Sequence, residues 1–272
     1  MSEALVVVTR DGARLIGDCR SGPGPVVVLL HAGVTDRRSW RSVPAALEGK
    51  AVVVAYDRRG FGETALSYGE GFSHVEDLLA VLDVVTDGPA WLVGSSADGG
   101  VALDAAVLAP ERVAGLVLLA SAVSGAPTPE LDADTTRFDR LLDQAMEAGD
   151  LDECNRLEAW LWLDGPAQPE GRVGDPARSL FLEMNRIILA NGVPEGVGAS
   201  GVDAWSQRDR VPAAATVACG DLDLPFLVER SGELAKRLPN GRHRVLAGMA
   251  HLPQIEDPAA VAALVVDAIG VA

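Results

Sequence analysis

The fold of this chain is decided by one stretch of sequence, Ala90-Trp91-Leu92-Val93-Gly94-Ser95-Ser96-Ala97-Asp98-Gly99-Gly100. A short apolar run ends in a turn of small residues with Ser96 at its apex, and an alanine- and leucine-rich helical pattern follows at once. A serine at such a strand-to-helix turn is lifted out of the sheet, beside the N–H groups of the helix N-terminus. On this stretch alone, a serine that merely caps the helix is the simpler interpretation. Ser95 is the rival within the turn, but the small-residue spacing around it is wrong.

Two residues further along the chain favour a catalytic role for Ser96. Asp223 follows a late apolar run, and His251 lies in a late loop. A serine hydroxyl is a weak nucleophile at neutral pH, so it needs an adjacent base that a third group orients. Asp221, two residues upstream of Asp223, remains a rival for the acid.

The chain resembles the α/β-hydrolase superfamily, of the small single-domain bacterial type. The resemblance runs from about residue 26 to the C-terminus and is carried by six motifs in the expected order. They are His31-Ala32-Gly33, Tyr56-Asp57-Arg58-Arg59-Gly60-Phe61-Gly62, the Ser96 turn, Pro110-Glu111-Arg112-Val113, Gly220-Asp221-Leu222-Asp223 and His251-Leu252-Pro253.

The resemblance implies a role for each candidate residue. Ser96 is the nucleophile, His251 the general base, and the G-x-x-D spacing selects Asp223 as the orienting acid. Backbone N–H groups of Gly33 and Ala97 would form the oxyanion hole. His31 matches a position that supports the oxyanion loop, and Ala32 stands where the family usually has glycine.

Asp98 is the main departure from the family pattern, because G-x-S-x-G would place glycine there to prevent crowding between the turn and the helix. Aspartate suits the first turn of a helix, so it can be a tolerated exchange. Alternatively, it points into the pocket. A carboxylate near the nucleophile would disfavour a developing oxyanion unless it is solvated or paired.

Composition narrows the class of protein. The chain has 272 residues and a formal net charge of −16, which argues against nucleic acid and anionic membrane surfaces as partners. Three scattered cysteines, Cys19, Cys154 and Cys219, argue against a disulfide framework. The N-terminus lacks the basic start of a signal peptide, and no apolar run is long enough to span a membrane. We therefore expect a cytoplasmic protein.

The pattern of elements predicts an α/β fold with a mostly parallel central sheet of about eight strands and helices on both faces. Asp11-Gly12 signals a type I′ hairpin between the first two strands. Ser73-His74-Val75-Glu76 reads as a capping box, and Asp257-Pro258 as the start of the last helix. The predicted strands are Leu5–Arg10, Ala13–Asp18, Val26–His31, Ala51–Tyr56, Ala90–Val93, Gly115–Ala120, Thr216–Cys219 and His243–Leu246.

The middle of the chain breaks this alternation and reads as an inserted helical lid. We assign residues 125–210 to the lid, and residues 1–124 and 211–272 to the α/β-hydrolase core. Helical periodicity covers 134–163 and 177–190. The default for the apolar side chains of such an insertion is core packing. The candidates for a substrate pocket are Val34, Asp98, Trp160, Trp162 and Met184.

These observations favour a serine hydrolase that cleaves a carboxylic ester, thioester or lactone of a small molecule. The alternatives are other chemistry by the same triad (carbon–carbon bond hydrolysis, lyase or acyl transfer) and a non-catalytic ligand-binding protein of the same fold. Gly60-Phe61-Gly62-Glu63-Thr64-Ala65 formally fits a dinucleotide-binding fingerprint, but no helical pattern opens at its glycines, so Asp57 and Arg58 are expected to pin that loop. We expect no metal or other cofactor, and a homodimer stays open as an oligomeric state.

Overall fold

One sheet of eight strands forms the centre of the molecule, with helices on both of its faces. The structure is a computed structural model that describes residues 2–69, 72–194 and 196–270. The predicted fold class is confirmed. The strands are β1 (Ser2–Val8), β2 (Arg14–Arg20), β3 (Val26–Leu30), β4 (Val52–Tyr56), β5 (Ala90–Ser95), β6 (Val113–Leu119), β7 (Ala214–Gly220) and β8 (Gly241–Leu246).

The strand order is β1-β2-β4-β3-β5-β6-β7-β8. β2 pairs antiparallel with β1 and β4, and the remaining pairs are parallel. Side chains of β3 and β5 are buried on both faces of the sheet, which explains why these strands read as unbroken apolar runs. β5 continues to Ser95, two residues beyond its predicted end, so it leads directly into Ser96.

The hairpin between β1 and β2 forms as expected, but its turn is not type I′. Such a turn requires positive φ at both central residues, and only Gly12 has it, at 84°. The N–H of Gly12 donates to the carbonyl of Thr9 at 2.9 Å, and the N–H of Thr9 donates to the carbonyl of Ala13 at 2.9 Å. The loop is therefore one residue longer than the Asp11-Gly12 pair implied.

The capping signals of the sequence mark true helix starts. Ser73 accepts a hydrogen bond from the N–H of Glu76, and Asp257 accepts one from the N–H of Ala260. The helical periodicity over 134–163 corresponds to two helices that are divided at Gly149, whose φ is 68°. The helices are α1 (His74–Val85), α2 (Ala97–Leu108), α3 (Ala133–Glu147), α4 (Leu151–Glu158), α5 (Ala177–Asn191), α6 (Ala204–Gln207), α7 (Pro225–Arg237), α8 (Pro253–Glu256) and α9 (Pro258–Ile269).

Each face of the sheet carries its own apolar core. On one face, α1, α2 and the C-terminal part of α7 pack against the strands. On the other, α9 packs beside two short 3₁₀ turns that bury Trp40 and Leu47. Both cores therefore support the carboxyl ends of the central strands, where ligands bind in open α/β sheets.

Helices α3, α4, α5 and α6 lie between β6 and β7 in the chain, within the segment that we assigned to a lid. A π-helical turn, Ala159–Asp164, continues α4. The domain boundaries at residues 125 and 210 stay a prediction. Across the residues that the structure describes, no helix combines the length and the apolar character needed to cross a bilayer.

A buried arginine joins the hairpin to the helical layer. Arg59 forms ion pairs with Asp11 at 2.6 Å and with Asp77 of α1 at 2.7 Å, and its side chain is 2% exposed. It also donates to the hydroxyl of Thr9 at 3.2 Å. One side chain therefore fixes β1, β2 and α1 relative to the loop that follows β4.

We expect Arg59→Met to lower the free energy of unfolding by about 3–5 kcal/mol, because it leaves the buried Asp77 without its cation. Chemical denaturation measures this change. Arg112→Met is the control, since Arg112 pairs with the largely exposed Asp83 and should cost at most about 1 kcal/mol. An Arg59→Met variant as stable as the control would contradict the assignment.

Candidate active site

Ser96 stands at a sharp turn between β5 and α2, with φ 54° and ψ −120°. Positive φ is rare for residues other than glycine and costs about 1–3 kcal/mol, so the surroundings must impose it. The N–H of Ser96 donates to the carbonyl of Leu119 on β6 at 2.8 Å. The carbonyl of Ser96 accepts from Gly99 at 3.1 Å and from Ala122 at 3.0 Å. These bonds hold the turn so that the hydroxyl is partly exposed.

Close contact between β5 and α2 is possible because Gly94 and Gly99 carry no side chain. A Cβ at position 94 would lie 2.7 Å from the Cα of Gly99. A Cβ at position 99 would lie 1.8 Å from the Oγ of Ser121. Crowding therefore falls on positions 94 and 99. The structure accommodates an aspartate at position 98, where the family pattern led us to expect glycine.

Ser96, His251 and Asp223 form one hydrogen-bonded chain. The Nε2 of His251 is 2.8 Å from the Oγ of Ser96, and its Nδ1 is 2.9 Å from the Oδ2 of Asp223. With the proton on Nδ1 donated to Asp223, Nε2 is the acceptor for the Ser96 hydroxyl. Asp223 also accepts from the N–H of Leu224 at 2.8 Å. The structure thus brings together the three residues that the sequence selected.

The two rival residues have other contacts. Ser95 is buried, and its hydroxyl contacts the side-chain amide of Gln254, which donates to it at 3.2 Å. Asp221 accepts from the N–H of Gly248 at 2.6 Å, so it shapes the loop that carries His251 without contacting its ring. The thiol of Cys219 lies 3.5 Å from the Oδ2 of Asp223. Burial raises the pKa of this thiol well above its usual range, so it stays protonated and donates.

The two residues proposed to supply the oxyanion donors lie next to each other. Ala97 begins α2, where the first N–H groups have no intrahelical partner. Gly33 faces it, because a Cβ at position 33 would lie 3.8 Å from the Cβ of Ala97. The backbone segment of Gly33 therefore approaches the start of α2, directly after Ser96.

His31 holds the loop that carries Gly33. Its Nε2 accepts from the N–H of Arg58 at 3.1 Å, and its Nδ1 therefore carries the proton donated to the carbonyl of Ala32 at 2.8 Å. Burial, together with the nearby charge of Arg58, lowers the pKa of His31 to about 3. The ring stays neutral at physiological pH and keeps this single tautomer.

Asp98 points away from solvent and pairs with Arg58. The Nε of Arg58 is 2.8 Å from the Oδ1 of Asp98, and the two side chains are 8% and 1% exposed. Within the described part of the chain, neither carboxylate oxygen of Asp98 makes a well-directed hydrogen bond. Burial raises the pKa of Asp98 to about 7, and Arg58 opposes that shift. Of the two loop residues expected to pin the β4 loop, Asp57 does so by accepting from Arg37 and Glu63, whereas Arg58 reaches Asp98.

The pocket candidates divide into two groups. Val34, Trp162 and Met184 belong to one apolar cluster with Leu252, and the rings of Trp162 and His251 have centroids 4.6 Å apart. Trp160 lies elsewhere: its ring packs edge-on against Phe138 at 5.2 Å, and its indole N–H donates to Gln168 at 2.7 Å. Trp160 therefore contributes to packing between helices. The side chain of Asp98 forms an ion pair with Arg58.

Arg172 ties the middle segment to the loop of His251, a contact that the sequence did not indicate. It donates to the carbonyls of Leu163 at 2.9 Å and Gly248 at 3.1 Å, and it pairs with Glu256. Glu256 in turn accepts from the N–H of Ala250 at 2.8 Å. A single side chain thus joins the π-helical turn to both ends of the histidine loop.

Across residues 2–69, 72–194 and 196–270, no group of three or more His, Cys, Asp or Glu side chains is placed to hold a metal ion. Four surface cavities of about 300–380 Å³ are lined by residues other than Ser96, Asp223 and His251. His251 borders the apolar cluster that contains Trp162.

We expect Gly94→Ala to lower kcat by at least tenfold, because the added methyl group must push α2 and the Ser96 turn apart (about 1.4 kcal/mol per factor of ten). Gly88→Ala is the matched control, since a Cβ there would contact only the hydroxyl of Thr86 at 3.9 Å. Ester turnover measures both variants. Equal activity of the two would show that the close approach at Gly94 does not shape the site.

Comparison with known proteins identifies related chains. The family model described as alpha/beta hydrolase fold matches residues 25–258. The chain is 27% identical to a putative 2-succinyl-6-hydroxy-2,4-cyclohexadiene-1-carboxylate synthase of Bacillus subtilis, over 93% of each chain. It is 30% identical to the pimeloyl-[acyl-carrier protein] methyl ester esterase of Edwardsiella ictaluri, over 85% of this chain and 88% of that protein. An esterase structure from Exiguobacterium antarcticum superposes with a TM-score of 0.80 at 14% identity, covering 98% of this chain and all (100%) of the other.

Proposed function

Since the chain belongs to the α/β-hydrolase fold family, we propose that it is a serine hydrolase that cleaves a carboxylic ester, thioester or lactone of a small molecule. The observation that carries the proposal is the hydrogen-bonded chain from Ser96 through His251 to Asp223. A pure binding protein has no physical need for all three groups at these distances. The methyl ester esterase among the relatives supports the choice of substrate class.

The geometry suits two-step acyl transfer. The Oγ of Ser96 attacks the substrate carbonyl while Nε2 of His251, 2.8 Å away, takes its proton. The N–H groups of Gly33 and Ala97 would stabilise the oxyanion, a contribution of about 3 kcal/mol for each donor. His251 then protonates the leaving group, and Asp223 stabilises the charged ring meanwhile. A water activated by the same His251 attacks the acyl-enzyme, and the acid is released.

A second candidate uses the same triad for chemistry other than ester hydrolysis. It is favoured by one observation, the full-length relative from Bacillus subtilis whose name is that of a synthase. In such a reaction Ser96 can act without carrying an acyl group. Product analysis separates the candidates, because only the first releases a free carboxylic acid from an ester, thioester or lactone.

We expect the wild-type chain to gain one adduct from a fluorophosphonate probe, and Ser96→Ala and His251→Ala to gain none. The reason is that the hydroxyl reacts only when His251 accepts its proton. We expect Asp223→Asn to lower kcat by about 10⁴-fold, since it disfavours the tautomer that accepts this proton. Intact-mass measurement and ester turnover record the two effects. An adduct that persists in Ser96→Ala would refute the proposed nucleophile.

Trp162 and Trp160 give a matched pair for the acyl pocket. We expect Trp162→Ala to change KM and shift preference toward bulkier acyl groups, because its ring lies beside His251. Trp160→Ala should leave the acyl preference unchanged and lower the free energy of unfolding by about 3–5 kcal/mol. A series of p-nitrophenyl esters of rising chain length, with chemical denaturation alongside, measures both. The pocket assignment fails if Trp160→Ala alters chain-length preference as much as Trp162→Ala.

A further inference from the structure

We propose that the buried ion pair between Arg58 and Asp98 is a positioning device that aligns the two backbone segments of the oxyanion hole. The inference rests on the proposed function and concerns residues that contact neither the nucleophile nor its base. Asp98 lies in the first turn of α2, next to the donor Ala97. Arg58 follows β4 and reaches Asp98 at 2.8 Å.

A continuous set of contacts leads from Asp98 to the second donor. The backbone N–H of Arg58 donates to the Nε2 of His31 at 3.1 Å. The Nδ1 of His31 donates to the carbonyl of Ala32 at 2.8 Å, immediately before Gly33. The pair therefore joins α2, which supplies Ala97, to the loop that supplies Gly33. The spacing of these two N–H groups depends on that connection.

The environment of the pair argues against a stabilising role. Both side chains are buried, and the carboxylate oxygens of Asp98 lack well-directed hydrogen bonds to the described residues. Taking two charges out of water is repaid only when further hydrogen bonds satisfy them, and replacing such a pair by apolar groups is often neutral or stabilising. A pair that contributes little to stability, next to the catalytic turn, is better explained by its effect on geometry.

Arg58 also neutralises a charge that would oppose catalysis. An ionised carboxylate two residues from Ser96 would repel the oxyanion. Arg58 cancels that charge and lies 4.3 Å above the ring of Phe61, which keeps the guanidinium in place. An aspartate at position 98 is therefore compatible with catalysis only when Arg58 neutralises its charge.

Near neutral pH, a change of charge in this cluster comes from Asp98 and not from the titratable side chains around the pair. Arg58 faces His31 and His74, and burial lowers the pKa of each of these rings to about 3. Tyr56 on β4 faces Asp98, and Tyr68 lies near Arg58; burial raises the pKa of both phenols. These four groups therefore stay neutral near neutral pH, where burial places the pKa of Asp98, at about 7.

The central experiment compares wild type with Arg58→Met, Asp98→Leu and the double variant. The double variant should melt at or above the wild-type temperature. Its kcat on p-nitrophenyl butyrate should fall at least tenfold, with KM within about threefold of wild type, because the hole binds the transition state more than the substrate. Arg112→Met with Asp83→Ala is the control, a pair that joins the end of α1 to the 3₁₀ turn after α2 and should leave kcat unchanged.

Arg58→Met alone gives a pH signature. Without its cation, the buried carboxyl of Asp98 is neutral at low pH and charged at high pH. The kcat of this variant should therefore fall as pH rises above neutrality, whereas the double variant should show no such fall. A purely structural role for Arg58 would lower activity equally at every pH.

Hydrogen exchange tests the alignment without any substrate. In the double variant, exchange should speed up in peptides covering residues 31–35 and 97–100 and stay unchanged in α9. Unchanged exchange in the peptides covering residues 31–35 and 97–100, or an unchanged kcat, overturns the inference. A fall in kcat matched by a fall in melting temperature also overturns it. If wild type neither hydrolyses esters nor labels at Ser96, the proposed function fails, and the exchange result still decides the role of the pair.

Discussion

The arrangement of the site depends on the close approach of α2 to β5, which requires that positions 94 and 99 carry no side chain. This approach places Ser96 in a backbone conformation that a serine rarely adopts. Hydrogen bonds from β6 and from the loop after it then hold the turn. The strain is local, but the whole sheet sustains it, because Leu119 and Ala122 are themselves fixed by β6. The sheet thus supports the partly exposed hydroxyl of Ser96.

Two buried arginines near the site, Arg58 and Arg59, have different effects. Arg59 joins three elements through several hydrogen bonds to acids that need it, so its loss removes stability. Arg58 makes one poorly satisfied ion pair, and we infer that its role is to position the backbone of Gly33 and Ala97. Adjacent arginines of the same motif therefore differ in function because their partners differ in hydrogen bonding.

The sequence predicted the parts of the molecule that depend on local signals. Apolar runs, capping residues and the order of six motifs were enough to predict the sheet, α1, α2 and α9. They also selected Ser96, Asp223 and His251, which the structure brings together and whose catalytic roles stay a prediction. The predicted type of the hairpin turn was wrong because Asp11-Gly12 fits more than one loop length. Only the pairing of β1 with β2 decides between these lengths. Trp160 and Trp162 look alike in sequence, yet the π-helical turn directs one ring to Phe138 and the other to His251. The ion-pair partner of Asp98 could not be predicted from the sequence, because Arg58 lies forty residues earlier and no local pattern links the two.

The contacts of Arg172 have a consequence for how such proteins are recombined. This one side chain binds the π-helical turn on one side and the histidine loop on the other. The middle segment therefore does not behave as an exchangeable cassette. A chimera that takes this segment from a relative, but keeps the C-terminal loop of this chain, separates Arg172 from Glu256 and Gly248. The loop of His251 would then lose these contacts even though Ser96, His251 and Asp223 are all present. A change in activity attributed to the new segment would instead reflect a displaced His251.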